Sequence, residues 1–547
     1  MISMGKIRKN VNLWSILSTL IILVIIITNL NIIQNLFNKP NDNWTHIREY
    51  LLKDYLINTG LLILFTGVIS LIIGTSLGWI ITVFEFPLRR IFKWALVLPM
   101  AIPPYIGAYT YSGILDYTGI IQIFLRERLG LTINQGYFDI MNIPGAVFIF
   151  SILLYPYIYL ITKSFLEKQS SSLIENGRVL GNNPFQIFIK ILLPISRPAI
   201  IGGVSLVVLE VLNDYGVVKY FGIPVFSTAI FKSWFSFGDI DSAIRLSSVL
   251  LTIVFFVLIL EKILRGRKKY SFSNSKIRPI KRYKIKGISK WIVFLYSLLI
   301  LSLGFIIPTL QLIRWSIMSF TSVLDYEFIR LIINSISVAT ITTLLIIIIA
   351  IVISNFNRIE SGLISKIYSK ITSIGYSIPG VVIAMAVILL LVKVDNSLYG
   401  VYKIFNSNTP KLVMSTSVFM LIFAYIIRFL AIGFNPIESG FDKIGKQFFE
   451  ASRTLGKNVT TTFLKVDLIM LKPAIITGFI LVFVDILKEL PLTLILRPFN
   501  FNTLATKSFE YANDEMVQEA AISSMLIIII SAIAIYALFS LENKEVK

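Results

Sequence analysis

The fold class that this sequence predicts is an all-α polytopic membrane protein, with about 12 transmembrane helices in two parallel six-helix repeats. Three observations predict it. The chain of 547 residues is 56% hydrophobic and 15% charged, whereas roughly a quarter of a soluble chain is charged. Apolar runs of about 20 residues, enough for a helix to cross a hydrocarbon core of about 30 Å, recur from end to end. Adding 275 to the numbers of the stretch Glu175–Trp234 lands on a gap-free echo at Glu450–Phe509, so the chain is a duplication.

Taken in order, Lys6, Arg8 and Lys9 precede an apolar span near 13–33. That run is too long for a signal peptide and no small-residue cleavage site follows, so a retained first helix with a cytoplasmic N-terminus is expected. A polar external loop near 34–55 carries His46, the only histidine, which reads as solvated surface. A span near 56–84 and a basic loop with Arg89, Arg90 and Lys93 follow. The third span, near 95–113, contains Pro99, Pro103 and Pro104; prolines free backbone carbonyls, so this helix is expected to face the protein interior or a wet cavity. An external segment near 114–143, a span near 145–165, a span from Pro198 and a sixth near 246–264 complete the first half.

The run from Lys262 to Lys290 is the most basic in the chain and reads as a cytoplasmic linker. Second-half spans are expected near 291–315, 331–354, 374–395, 411–433, 473–496 and 518–540; early in this half the offset is 276, where Asn58, Thr66 and Pro103 meet Asn334, Thr342 and Pro379. The division is therefore 1–265, linker 266–288, and 289–547, with a loop at 166–197 repeated at 436–472. Six spans per half give both copies the same polarity, a parallel repeat about an axis along the membrane normal.

Each repeated loop reads as a short polar helix, a sharp stop, a second helix and then a span. Gly181 and Gly456 suit the left-handed residue past a helix end. Asn183 and Asn458 suit the next N-cap, with Pro184 at the first helical position of the first copy. Glu175 with Arg178, and Glu450 with Arg453, stand one turn apart and are expected to brace their helix faces.

These residues resemble the EAA loop of ABC-importer permeases. The match is ENGRVLG with a downstream LLP in the first copy and EASRTLG without it in the second; Asn176, Gly177, Ser452 and Ile469 depart from the family pattern. The register continues through 213–234 and 488–509, pairing Phe226, Thr228, Lys232 and Ser233 with Phe501, Thr503, Lys507 and Ser508. With LPMAIPPYIGAY (98–109), YSIPGVVIAM (376–385) and AYIIRFLAIG (424–433), the chain is similar to the fused two-half permeases of ferric-iron ABC importers.

The resemblance implies a MetI-like permease of the bacterial inner membrane with both termini cytoplasmic. It implies two copies of a nucleotide-binding ATPase subunit and an extracytoplasmic binding protein as partners, the external loops near 34–55 and 114–143 helping to receive the latter. On this reading Glu175, Arg178, Gly181, Glu450, Arg453 and Gly456 shape the ATPase-docking loops. ATP and Mg are used by the partner, and this chain carries no cofactor. Thiamine, polyamine, phosphonate and sulfate permeases share the scaffold and remain open as substrate alternatives.

After Pro198 and Pro473 come acidic pairs in apolar surroundings: Glu210 with Asp214, and Asp485 with Glu489 at the same positions plus 275. Ionisable groups in membrane helices usually face a bundle interior or an aqueous cavity, so these four can line a negative path for a cation. The alternative is that they sit at the external interface, pair with Lys219, Lys488 or Arg497, or cap a broken helix.

Several classes are excluded. Cys is absent and His46 is the only histidine, which removes disulfides, zinc clusters and His or Cys haem ligation, so no tightly bound metal is expected. No G-x-x-x-x-G-K-[ST] loop occurs, so ATP hydrolysis belongs to another polypeptide. The net charge of +21 collects in alternate loops beside apolar spans, as topology requires; the linker lacks an aromatic platform for nucleic acid. No nucleophile motif marks an enzyme. An ion-coupled secondary transporter is the competing class, against which the parallel repeat and paired loops argue.

Overall fold

The structure is a computed structural model that describes residues 13–35, 40–131, 133–167, 171–266, 282–360 and 362–545. Lys6, Arg8, Lys9 and most of the basic linker lie outside them. Among the described residues nine helices are long and apolar enough to cross a membrane, or eleven if each of two bent pairs counts once. With the first helix, Leu13–Asn35, these occupy the twelve expected places.

The first half contains α1 (Leu13–Asn35), α2 (Leu52–Val83), α3 (Pro104–Leu115), α4 (Ile143–Glu167), α5 (Ser171–Val179), α6 (Pro184–Asn213) and α7 (Ile240–Arg265). The second contains α8 (Ser289–Met318), α9 (Tyr326–Ile359), α10 (Gly380–Phe405), α11 (Val418–Ile444), α12 (Gln447–Thr454), α13 (Lys472–Leu487) and α14 (Val517–Glu545). Helices α2, α4 and α6 pack on one another, and so do their counterparts α9, α11 and α13.

The outer helices of each half pack against the other half. α1 lies on α9 and α10, and α7 on α10, while α8 and α14 both lie on α3. Tyr111 of α3 donates its hydroxyl to the Leu303 carbonyl at 2.5 Å, and Gly304 lies so close to the Ile152 carbonyl that a Cβ there would come within 2.8 Å. One buried apolar cluster accordingly joins Ile22 and Leu246 to Ala384 and Phe434, and another joins Phe150 to Leu504 and Ile527. The boundary at 265–289 separates the repeats in sequence, but the cores cross it.

Three expectations need correction. The loop expected near 34–55 is helical from Asp42 onward and runs on into α2, because Asn41 accepts the Trp44 N–H at 2.9 Å and starts a helix there. His46 is exposed, as expected, with its ring 5.0 Å from that of Tyr50. The third span breaks: Arg89–Ala101 meets Pro104–Leu129 at 91°, the bend falling where Pro103 and Pro104 offer no N–H. Pro379 in the second half has nearly the same backbone angles as Pro103, and each begins a new helix after a tight turn.

The third correction is one of register. Asn58 donates to the Pro224 carbonyl at 2.9 Å, and its counterpart Asn334 donates to the Asn502 carbonyl at 3.3 Å. The helices that follow are capped at Val225 and Thr503. Here the equivalence is plus 278, so the pairing of Phe226 with Phe501 is three residues out of step. The second copy spends three more residues between its acidic pair and this cap.

Two short strands, β1 (Phe84–Glu85) and β2 (Tyr283–Lys284), pair in parallel, tying the end of the linker to the loop after α2.

Candidate functional site

The repeated loops have one backbone in two chemistries. Gly181 follows α5 at φ +81 and Gly456 follows α12 at φ +77, where a side chain would be strained. Asn183 accepts the Gln186 N–H at 2.8 Å while the Gln186 side chain accepts the Asn183 N–H at 3.0 Å, and Pro184 opens the helix. Asn458 accepts the Thr461 N–H at 2.7 Å. Both caps hold as expected.

Beyond them each chain widens into a π-turn, Phe188–Leu192 and Phe463–Asp467. The first copy then continues unbroken into its span, so its capped helix and span are one element. In the second copy Val459–Met470 meets α13 at 73°, although Pro198 and Pro473 stand at equivalent positions in the two copies.

The exposed faces share a carboxylate and a leucine. Glu175 and Glu450 are both exposed, and Leu180 and Leu455 are each 79% exposed, an apolar tip beside a carboxylate on each copy. The expected bracing pairs do not form: Arg178 lies over the Tyr283 ring at 3.9 Å, and Arg453 donates to the Lys457 carbonyl at 2.7 Å. Both arginines satisfy a neighbouring loop element instead, which spares the side-chain entropy of an exposed ion pair worth little.

The undersides differ. In the first copy Gly177 leaves room for Ile187 and Ile191, which a Cβ would meet at 3.2 and 2.8 Å. At the same positions plus 275, the buried hydroxyls of Ser452 and Thr462 bond to each other at 2.9 Å. Departures at Gly177 and Ser452 are thus each matched ten residues on. Only the second copy adds a buried ion pair, Arg358 to Asp467 at 2.6 Å, with the guanidinium 4.6 and 4.5 Å from the rings of Phe441 and Phe449. The corresponding first-half residues are Thr82 and Leu192.

The four carboxylates of the acidic pairs do converge. Glu210, Asp214, Asp485 and Glu489 line a single cavity between α6 and α13, with Arg428, Lys488 and three tyrosines. Four carboxylates against two cations leave a formal excess of two negative charges. Glu210 lies thirteen residues along α6 from Arg197, about 20 Å at 1.5 Å per residue.

The alternative roles hold at the same time. Lys488 pairs with Asp485 at 2.8 Å. Asp214 accepts the Val217 N–H at 2.9 Å, and Glu489 the Leu492 N–H at 3.1 Å, each capping the short helix after its break. Of the other expected cations, Arg497 pairs with Glu510 at 2.5 Å and Lys219 is exposed.

Residues that sequence reasoning did not single out complete the cavity. Arg428 of α11 reaches Glu489 at 3.4 Å and donates to Asn213 Oδ1 at 2.8 Å. That same oxygen accepts the Gly380 N–H at 2.7 Å, tying the end of α6 to the start of α10. The tie is one-sided, because Pro104 stands where Gly380 would be in the first half and has no N–H to give. Tyr157 donates to Glu210 Oε1 at 3.4 Å, and Tyr376 donates to the same oxygen. Among the described residues no group of three or more His, Cys, Asp or Glu is placed to hold a metal ion.

Comparison with known proteins agrees with this geometry. The profile of the family described as "Binding-protein-dependent transport system inner membrane component" matches residues 70–269 and again 346–543, once per half. The chain is 24% identical over 497 residues to the Fe(3+)-transport system permease protein FbpB 2 of Haemophilus influenzae, covering 89% of this chain and 90% of that one. A putative ferric transport system permease protein of the same organism is 22% identical over 77% of this chain and 66% of its own length. The spermidine/putrescine transport system permease protein PotB of Escherichia coli is 28% identical over 33% of this chain and 65% of its own length.

Proposed function

This chain belongs to the binding-protein-dependent transport system inner membrane component family, and from that premise we propose that it is the fused membrane subunit of an ATP-driven importer of ferric iron. It is a transport permease and not an enzyme. The two halves, 1–265 and 289–547 joined by the linker 266–288, each offer one docking loop to one of two ATPase subunits, which bind the ATP and Mg. Both loops and both termini lie on the cytoplasmic side of a bacterial inner membrane, an orientation supported by the basic residues that flank them. An extracytoplasmic binding protein delivers the ion to the opposite face.

The observation that carries this reading is the shared exposed face of the two loops, Glu175 with Leu180 and Glu450 with Leu455, on frames that Gly181 and Gly456 both turn. A duplicated frame that keeps one exposed carboxylate and one exposed leucine while its undersides diverged is what two copies of one partner require. In this reading Arg178 and Arg453 hold the frame and do not meet the partner.

Glu210, Asp214, Asp485 and Glu489 form the substrate path. Their excess negative charge favours a cation, as the resemblance to a ferric permease requires, and disfavours sulfate. A polyamine is the second reading, supported by the partial likeness to a spermidine/putrescine permease; identifying the ligand of the binding protein distinguishes the two.

Reconstitution in proteoliposomes with the ATPase and the binding protein tests the assignment. Uptake of iron is expected to require ATP and to fall at least tenfold in a Glu175→Ala, Glu450→Ala double variant. Uptake without ATP, driven by an ion gradient, would replace this reading with a secondary transporter. Asp214→Asn with Glu489→Gln is expected to impair uptake while the ATPase subunits still assemble, and unimpaired uptake would remove these carboxylates from the path.

A further inference from the structure

We propose that Tyr157, Tyr376 and Glu210 form a transit site for a hard trivalent cation, in which two phenolates and one carboxylate hold the ion midway through the protein. The inference rests on the reading of the chain as a ferric importer and adds to it a named set of ligands, two of which are phenols.

The geometry is the starting point. Both phenol groups are directed at one carboxylate oxygen: Tyr157 donates to Glu210 Oε1 at 3.4 Å from α4, and Tyr376 donates to it from the turn before α10. The ligands therefore come from both halves, so relative movement of the halves assembles or disperses them. Around a small hard cation held at about 2.0–2.1 Å, neighbouring oxygens lie about 3 Å apart, and both phenol oxygens already lie within hydrogen-bond range of Glu210 Oε1. A second feature points the same way. Tyr105 lines the same cavity, is 3% exposed, and its hydroxyl has no hydrogen-bond partner, leaving a spare buried oxygen beside the cluster.

The chemistry selects the ion. Oxygen ligands suit hard cations and thiolates suit soft ones, and this chain has no cysteine. Coordination replaces two phenol protons: the trivalent ion, two neutral phenols and one carboxylate give a neutral complex and two protons, which leave to water in the cavity. Three negative ligand charges cancel a charge of three, so no net charge is held in a medium where net charge is costly. A divalent ion would leave one negative charge behind. A polyammonium ion needs acceptors and displaces no phenol proton. The same balance makes release reversible, because returning two protons to the phenols regenerates the weaker site seen here.

The test uses the permease assembled with its ATPase subunits in lipid nanodiscs, titrated with iron(III) nitrilotriacetate and, as a redox-inert probe, gallium(III) nitrilotriacetate. The expected results are a phenolate-to-iron charge-transfer absorption, release of two protons per metal ion, and at least a tenfold loss of metal affinity in Tyr157→Phe, Tyr376→Phe and the double variant. Each substitution removes one hydroxyl only, and co-purification of the ATPase subunits reports whether the variants assemble. Absence of the absorption from the parent protein, or its persistence in the double variant, overturns the site. If the variants fail to assemble, the spectrum and proton count of the parent decide. Iron uptake by the parent without the absorption sinks this site and leaves the importer reading intact, whereas absence of any ATP-dependent iron uptake sinks the reading itself.

Discussion

The two repeated loops teach more side by side than either does alone. Their backbones agree turn by turn, from the left-handed glycine through the asparagine cap to the π-turn. Beneath that frame the first loop is packed with isoleucine against glycine and braced by Tyr283 at the end of the linker. The second is joined by a serine–threonine hydrogen bond and anchored to α9 by Arg358 and Asp467, and Trp14 of α1 adds a contact to Phe463 with ring centroids 5.1 Å apart. After the duplication one exposed carboxylate and one exposed leucine stayed alike, Glu175 with Glu450 and Leu180 with Leu455, while Asn176, Val179 and Phe185 face solvent opposite Ala451, Thr454 and Thr460, and the residues that hold each loop to the bundle also changed. The proposed docking role rests on that shared pair and the common frame.

Substitutions can break that comparison at chosen points. The largest expected effect is at Arg358→Thr, which leaves Asp467 buried without its partner and costs about 3–5 kcal/mol, read as a lower unfolding midpoint in detergent. Adding Asp467→Leu installs the first-half residues at both positions and is expected to recover most of the loss, because a buried ion pair is often replaceable by apolar packing. If the double variant were as unstable as the single, the second loop would need the charges themselves. Next in size, Gly181→Ala and Gly456→Ala are each expected to cost about 1–2 kcal/mol, the penalty for a side chain in the left-handed region. The two losses should be alike, and a large inequality would show that the frames are less equivalent than they look.

Effects of comparable or smaller size separate the undersides. Ser452→Ala removes a buried hydrogen bond and strands the Thr462 hydroxyl, for about 1–3 kcal/mol. This change should loosen the second loop alone, as judged by the labelling rate of a cysteine introduced there. Tyr283→Ala removes the ring beneath Arg178 at a cost of about 0.5–1 kcal/mol, and should loosen only the first. An effect of either change on the opposite loop would mean that the two are mechanically joined.

What could be read from the chain was whatever repeats or depends on neighbours in sequence. Gly181, Gly456, Asn183 and Asn458 were legible because each acts on a backbone a few residues away. The acidic pairs were legible because a carboxylate in an apolar helix stands out and its echo falls at the same offset. Arg428 carried a comparable signal, an arginine inside the apolar run AYIIRFLAIG, which in a membrane helix calls for a partner; the partner, Glu489, is 61 residues away. Tyr157 and Tyr376 gave no signal, since tyrosine is common in such spans and only packing brings them onto Glu210. The exchange of outer helices between halves and the three-residue shift before Thr503 are products of tertiary packing, which local periodicity does not encode.

The absence of cysteine from this chain makes the central claim, twin cytoplasmic handles gripped by an outside motor, directly measurable. Single cysteines placed by Leu180→Cys and Leu455→Cys, at tips that are both 79% exposed, can be tested with an impermeant thiol reagent in inside-out and right-side-out vesicles, and by cross-linking to the ATPase subunit. Both are expected to label only from the cytoplasmic side, to be protected by the ATPase and to cross-link to it. Labelling of either tip from outside the cell, or of the two tips from opposite sides of the membrane, would contradict it.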